Sequence, residues 1–317
     1  MYIAQAYKSL YQPWRYLLGV VMVFIGTQLG SIPFVVAIFM KQSAEGGSML
    51  ELTDETDMLN ILDSNSTFFF MLLGFAVGLL ALFLWVKYVH KQSITSLTTS
   101  RKKIDWGRFW FGFLLIGVTT TVLTIMDYYG NPDDYVLQFD AKLFAILALI
   151  AVIFIPLQTS MEEYLFRGYL MQGIGVMSRN RWLPLLITSF IFGMLHYFNP
   201  EVDKLGNIVM VYYIGTGLFL GIITLMDEGM ELALGFHAGN NLIAALLVTA
   251  DWTVFKTNSV FLDVSEPAAG FDVLVPVLVI YPIFIAIMAF RYKWKNWSDR
   301  LFGKVPPPPE RDPIDFL

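Results

Sequence analysis

The segment Glu162 to Gly168 carries three charged residues directly after a long apolar run. Charges at the end of a membrane helix are costly and usually functional. If the segment is helical, Glu163 and Arg167 stand four residues apart on one face, in the order that favours an ion pair. Glu162 is turned about 100° away from Glu163 and has no local partner. We therefore expect Glu162 to do chemistry, and Glu163 and Arg167 to hold the site together.

Polar residues also interrupt two later apolar stretches, at His196 and at His237. In a helix His237 and Asn241 lie one turn apart on the same face, so both can point into one cavity. Polar side chains at membrane depth normally face the bundle interior. We expect His196, His237 and Asn241 to converge with Glu162. The third histidine, His90, lies at the edge of a basic connector and is predicted to be a solvated surface residue.

A carboxylate, two imidazoles and a carboxamide suit the hydrolysis of an amide. Glu162 can act as general base on a water, helped by a neighbouring histidine, because burial makes a carboxylate a stronger base. The other imidazole and Asn241 can donate hydrogen bonds to the oxyanion, each contributing about 3–4 kcal/mol in well-studied hydrolases. Glu162, His196 and His237 also match the ligand set of several catalytic zinc sites. The sequence has no His-Glu-x-x-His motif and no cysteine, so it requires no cofactor and leaves zinc possible.

The composition is that of an integral membrane protein. The chain of 317 residues is 56% hydrophobic and 15% charged, whereas soluble domains are about 45–50% apolar and about 25% charged. We predict an all-α polytopic bundle of about eight transmembrane helices around a buried polar cavity. The expected spans are residues 16–40, 68–89, 109–129, 144–159, 182–198, 208–226, 232–249 and 273–290. A net charge of −5 without a large basic patch argues against nucleic acid as a partner.

The distribution of Lys and Arg predicts the orientation in the membrane. Basic connectors follow the second and fourth spans and a basic tail follows the eighth, and such segments mark the cytoplasmic side. The acidic loops after the first, third and seventh spans agree with this orientation. Among the connectors expected in the cytoplasm, only the one between the sixth and seventh spans carries acids instead of bases. Both termini are therefore predicted to be cytoplasmic, in a multi-pass protein of a bacterial plasma membrane.

We find no internal repeat and no linker that would divide the chain. Residues 1–305 are predicted to form a single membrane domain, with a motif-bearing core at about 144–249. Residues 165–177 are expected to continue past the motif as an amphipathic or partly inserted helix, and the Pro-rich residues 306–317 to form a disordered tail. Gly-x-x-x-Gly pairs at 26/30, 74/78 and 217/221 predict close helix packing.

Three short motifs, taken in order, resemble the signatures of a known family. They are Glu162-Glu163-x-x-x-Arg167, Phe192-x-x-x-His196 and His237-x-x-x-Asn241. They look like the motifs of the CAAX protease and bacteriocin-processing (CPBP or Abi) family, which includes the type II CAAX prenyl endopeptidases. The resemblance covers roughly residues 144–249. It implies an eight-span intramembrane endopeptidase, with Glu162, His196, His237 and Asn241 catalytic and Glu163, Arg167 and Phe192 supporting them.

The leading hypothesis is therefore an endopeptidase that hydrolyses a peptide bond in a lipidated or hydrophobic membrane-associated substrate by a Glu/His-activated water. Its partners would be membrane lipid and that peptide or lipidated protein. One alternative is a non-catalytic scaffold or bacteriocin-immunity protein that binds a peptide in the same cavity. Another is a small transporter that relays protons through Glu162 and the histidines. Transporters often contain internal repeats, which we do not find in this sequence.

Overall fold

The computed structural model describes residues 1–47, 58–266 and 270–310. The main helices are α1 (Pro13–Ala44), α2 (Ser64–Tyr88), α3 (Trp106–Gly130), α4 (Ala141–Glu163), α5 (Met171–Ser178), α6 (Trp182–Met194), α7 (Val209–Asp227), α8 (Glu231–Leu247) and α9 (Tyr281–Tyr292). A π-helical segment, Tyr164–Leu170, joins α4 to α5, and another, Pro276–Ile280, precedes α9. Shorter helical segments are Ile3–Lys8, Ile94–Thr98, Pro132–Asp134, Pro200–Leu205, Phe271–Leu274 and Trp297–Phe302.

In the described residues, five helices are long and apolar enough to cross a membrane: α1, α2, α3, the continuous run Ala141–Ser178, and α7. The predicted all-α polytopic membrane fold is confirmed, and a helix overlaps each of the eight expected spans. The expected end of the fifth span is wrong, since α6 has only 13 residues and stops at Met194. At 1.5 Å per residue it reaches about 20 Å, less than the ~30 Å thickness of the hydrocarbon core.

The helix that follows Glu163 is buried rather than amphipathic. Its residues Met171 and Val176 pack in one apolar cluster with Tyr2, Ile3 and Tyr7 from the start of the chain. The sequence left an amphipathic and a partly inserted helix open for residues 165–177, and it did not show that residues far away in the chain cover this helix. The N-terminal segment therefore forms part of the packing around the motif-bearing helix.

His90 is fully buried, which contradicts the prediction of a solvated surface residue. Its Nδ1 lies 2.7 Å from the Leu10 carbonyl oxygen, and its Nε2 lies 2.9 Å from the Tyr169 hydroxyl. Burial lowers the pKa of the His90 imidazole to about 4. His90 is buried for the same reason as α5, because the N-terminal segment folds back over the end of α2.

α8 packs against both α3 and α4. The helices that carry the first and third motifs, α4 and α8, therefore lie side by side. The glycine pairs of the first two spans do lie at a helix crossing. A Cβ on Gly30 would stand 2.8 Å from Val77 Cβ, and one on Gly78 would stand 2.4 Å from Thr27 Oγ1. The predicted close packing of α1 and α2 is therefore confirmed.

A network of charged side chains, which we call the charge hub, gathers connectors at one end of the bundle. Its acids lie at or beside the turn between α7 and α8. Its bases lie in the connector before α3, in the first turn of α3, in the connector before α6 and in the C-terminal helical segment Trp297–Phe302. The members are Asp227, Glu228, Glu231, Arg101, Arg108, Arg181 and Arg300. The acidic connector between α7 and α8, which was the exception to the basic pattern, thus forms ion pairs with basic residues of the neighbouring segments.

The opposite end of the bundle carries a small sheet that the sequence did not predict. Its strands are β1 (Tyr135–Leu137), β2 (Val248–Ala250) and β3 (Phe261–Asp263), in the order β1-β3-β2. β3 pairs antiparallel with β1 and parallel with β2. It ties the connector after α3 to the one after α8. In the tail, residues 306–310 are exposed and without regular structure, and residues 311–317 lie outside the described ranges.

Candidate active site

The first motif lies where α4 changes its winding. Glu162 and Glu163 are the last two residues of α4, and Arg167 lies in the π-helical segment that follows. Every residue from 161 to 169 is buried. Wide π-helical turns are rare and frequently occur at functional sites. Here the wider turn and the burial bring three charged side chains into the interior of the bundle.

Glu163 and Arg167 form the ion pair expected from their spacing. Arg167 Nη1 lies 2.9 Å from Glu163 Oε1, and neither side chain is exposed to solvent. Arg167 Nη2 donates to the carbonyl oxygen of Gly217 at 3.3 Å. Its guanidinium lies 4.3 Å from the centre of the Phe192 ring, within the range of a cation–π contact. Phe192 of the second motif therefore packs on the arginine of the first.

His237 lies between the two glutamates of the first motif. Its Nδ1 is 2.8 Å from Glu163 Oε1, and its Nε2 is 3.5 Å from Glu162 Oε2. Because an ionised carboxylate can only accept hydrogen bonds, Nδ1 carries the proton and donates to Glu163. The Nε2 atom then faces Glu162. The sequence placed Glu163 with Arg167 alone, whereas the structure gives it His237 as a second partner.

Gln158 connects Glu162 to Asn241, a contact that the sequence reasoning missed. Gln158 Nε2 donates to Glu162 Oε1 at 2.8 Å, and its Oε1 accepts from Asn241 Nδ2 at 3.2 Å. A further bond runs from Asn240 Nδ2 to Asn241 Oδ1, at 3.1 Å. One signal was available in the sequence: Gln158 is a polar residue in an apolar span, one helical turn before Glu162 and on its face.

His196 lies apart from this hydrogen-bonded cluster. It follows the end of α6. Its Nδ1 lies 2.8 Å from the Phe192 carbonyl oxygen and is therefore the donor, and its Nε2 has no hydrogen-bond partner among the described residues. Its ring stacks on Tyr213 at 4.5 Å and lies 5.0 Å from the Phe192 ring, which is itself 6.0 Å from the His237 ring. In the described residues no hydrogen bond joins His196 to the other three candidates. The structure thus brings Glu162, His237 and Asn241 together and leaves His196 one aromatic ring away.

The described residues do not form a metal centre. Within residues 1–47, 58–266 and 270–310, no group of three or more His, Cys, Asp or Glu side chains is placed to hold a metal ion. The set Glu162, His196 and His237, which would be the ligands of a zinc ion, is not assembled in this conformation. We therefore derive no chemical step through a metal.

Comparison with known proteins agrees with the motifs. Residues 141–243 match a family described as type II CAAX prenyl endopeptidase Rce1-like. The chain is also similar to the uncharacterized protein YyaK of Bacillus subtilis (strain 168), with 28% identity over 247 residues, 76% of this chain and 80% of that protein. No solved structure matches the chain significantly. The matched region contains all three motifs, and it confirms the resemblance to the CAAX protease family.

Proposed function

We propose that this chain, which resembles the type II CAAX prenyl endopeptidases from α4 to α8, is an intramembrane endopeptidase. Its substrate would be a lipidated or hydrophobic protein or peptide at the membrane. One observation carries the proposal: Glu162 Oε2 is buried and lacks a hydrogen-bond partner in the described part of the chain. It faces His237 Nε2 at 3.5 Å. Leaving a buried acceptor unpaired costs free energy, so such an atom suits a site that water or substrate completes.

In the proposed reaction one water molecule contacts both Glu162 Oε2 and His237 Nε2. The Glu162 carboxylate accepts a proton as the water oxygen bonds to the scissile carbonyl carbon, and the carbonyl electron pair moves to oxygen. Asn241 Nδ2 gives one N–H to Gln158, which leaves the second N–H for the oxyanion. The C–N bond then breaks and the leaving amine takes the proton from Glu162. One water is consumed, giving a new carboxyl group and a new amine.

Glu163 and Arg167 support this reaction without entering it. Glu163 accepts from both Arg167 and His237, at 2.9 Å and 2.8 Å. The pair therefore fixes the tautomer and the ring orientation of His237. For His196, which the structure leaves outside the bonded cluster, we propose that Nε2 contacts the bound substrate, because Nδ1 already bonds to the Phe192 carbonyl.

We also propose that the charge hub lies on the cytoplasmic side of a bacterial plasma membrane and that both chain ends face the cytoplasm. Basic connectors favour that side, and the similarity to a Bacillus protein supports a bacterial source. The candidate site lies toward the same end, because Tyr2 contacts both: its backbone N–H donates to Glu228 of the charge hub, and its hydroxyl donates to the Arg167 carbonyl oxygen at 2.9 Å. A substrate would then reach Glu162 from the cytoplasmic leaflet.

The experiment is cleavage of a quenched prenylated CAAX peptide by the purified protein in detergent, with the same peptide lacking the prenyl group as a second substrate. Wild type is compared with Glu162→Gln and His196→Ala, each with and without a metal chelator. We expect wild type to cleave and both variants to lose at least about 100-fold in rate, the contribution of a positioned general base. The chelator arm reports whether the wild-type rate depends on a bound metal.

Glu201→Gln is the matched control. Glu201 also has a buried carboxylate oxygen without a partner in the described residues, but its other oxygen bonds to the Val254 amide, outside the candidate site. The control should cleave at the wild-type rate. Retained cleavage in both Glu162→Gln and His196→Ala would refute the proposal. Binding of the peptide by wild type without cleavage would instead favour the non-catalytic scaffold.

A further inference from the structure

We propose that Gln158 is a positioning residue of this site, which holds the Glu162 carboxylate and the Asn241 carboxamide in one relative orientation. The inference rests on the proposed peptidase function. Gln158 bonds to Glu162 and to Asn241 at 2.8 Å and 3.2 Å. Only 4% of its surface is exposed. Water therefore cannot replace either bond readily, and each amide atom has one protein partner.

The order of donors and acceptors determines the orientation of each side-chain amide in this series of hydrogen bonds. An ionised Glu162 only accepts, so the nitrogen of the Gln158 amide must face it. The Gln158 oxygen then faces Asn241, which must present its own nitrogen. The Asn241 oxygen in turn faces Asn240, whose Nδ2 donates to it at 3.1 Å. The carboxylate thus determines the orientation of the carboxamide that donates to the oxyanion.

The position of Gln158 in α4 suits this function. Glu162 lies two residues before the π-helical segment, where the regular α-helical spacing of side chains ends. Gln158 lies one turn earlier, and its bond keeps the flexible Glu162 side chain in one rotamer. Asn241 belongs to a different helix, α8. Gln158 therefore connects the general base to the oxyanion donor across the interface of α4 and α8.

The kinetic test compares Gln158→Leu with Gln158→Met, which both remove the two bonds, while the methionine also keeps the length of the side chain. If Gln158 orients reacting groups, kcat should fall about 100-fold in both, the scale of a 1 Å misplacement, while KM stays within about twofold. A general packing defect would spare Gln158→Met, whose side chain has nearly the same length and volume. The matched control is Thr159→Val, the adjacent buried residue, whose hydroxyl bonds only to carbonyls of its own helix; it should keep the wild-type kcat.

A second readout does not depend on catalysis. The melting temperatures of Gln158→Leu, Asn241→Leu and the double variant in detergent form a double-mutant cycle. If the two amides are bonded, the double variant should lose less than the sum of the two single losses. Additive losses would overturn the inference, with or without peptidase activity.

The two readouts distinguish the failure of each proposal. A wild-type kcat in Gln158→Leu would overturn the positioning role and leave the peptidase proposal intact. If wild type cleaves no peptide while the melting temperatures are non-additive, the proposed function fails and the Gln158 link between the two helices stands. Loss of kcat in both Gln158 variants together with non-additive melting temperatures supports the inference.

Discussion

At the scale of single residues, the most consequential feature is that Glu163 has two partners. Its Oε1 atom accepts from Arg167 and from His237, and all three side chains are buried. A buried ion pair contributes little net stability, because desolvation offsets the attraction between the charges. The pair is therefore better explained by the histidine that it orients than by the stability that it adds.

This explanation predicts that stability and activity can be separated. Glu163→Gln and Arg167→Met should each lower the free energy of unfolding by about 3–5 kcal/mol, because each leaves one buried charge unpaired. The double variant Glu163→Leu/Arg167→Met should recover much of that loss, yet it should not cleave peptide because His237 is no longer oriented. Thermal unfolding in detergent and the cleavage assay measure the two effects. A double variant that is less stable than either single variant would contradict this account.

The sequence was informative about residues that interact within one helix. The Glu163–Arg167 pair follows from their spacing alone. The bonds from Glu163 to His237 and from Gln158 to Asn241 join α4 to α8. Such contacts depend on how the two helices are rotated against each other, and on the π-helical segment that changes the winding after Glu163. A repeating hydrophobic pattern contains no information on the rotation of one helix against another or on a local change of winding. The sequence therefore could not predict that Glu163 bonds to His237 or that Gln158 bonds to Asn241.

At the scale of helices, the site depends on the close approach of α6 and α7. A Cβ on Gly217 of α7 would lie 2.7 Å from the carbonyl oxygen of Ser189 in α6. The Gly217 carbonyl also accepts from Arg167. The absence of a side chain at Gly217 therefore lets the two helices pack closely enough to hold the arginine.

Gly217→Ala should separate the two helices, because the added methyl meets backbone atoms that cannot rotate away. We expect a loss of about 1–3 kcal/mol in stability and a lower cleavage rate, since Arg167 loses its anchor. Gly117→Ala in α3 is the matched control, because among the described residues its Cβ would meet only the flexible side chain of Ile243, with Cγ1 at 3.4 Å and Cδ1 at 4.0 Å. That change should be neutral or stabilise by up to about 1 kcal/mol. Equal melting temperatures for the two variants would refute the packing argument.

The hydropathy pattern predicted where helices occur better than where they end. The apolar run 182–198 continues past the end of α6, because Leu195, Tyr197 and Phe198 are apolar in type although they are exposed in the turn that follows the helix. His196 therefore lies in a turn rather than inside a span. The buried state of His90 was missed for a related reason, since the Leu10 carbonyl that it contacts is 80 residues away in the chain. Both errors concern how separate elements meet, which the local pattern does not specify.

At the scale of the whole molecule, the connectors fall into two groups at opposite ends. The charge hub joins three of them to the turn after α7; for example, Arg101 lies 2.7 Å from Asp227, and Arg300 lies 3.1 Å from Glu228. At the other end the sheet joins two connectors, and Lys256 donates to Asn60 at 3.0 Å. Every connector of one group should therefore lie on the same side of the membrane.

Because the chain has no cysteine, single cysteines can report the side of each connector directly. Lys102→Cys and Ser298→Cys lie in exposed positions on segments of the charge hub, and Asp133→Cys and Asp203→Cys are exposed at the other end. In intact cells a membrane-impermeant maleimide should label only the second pair, whereas permeabilised cells should show all four labelled. The reverse pattern would invert the proposed orientation and place the candidate site toward the outer leaflet. Different labelling of the two cysteines within one pair would contradict the division of the connectors into two groups. For the first pair this follows because segments that contact each other in the charge hub must lie on one side of the membrane.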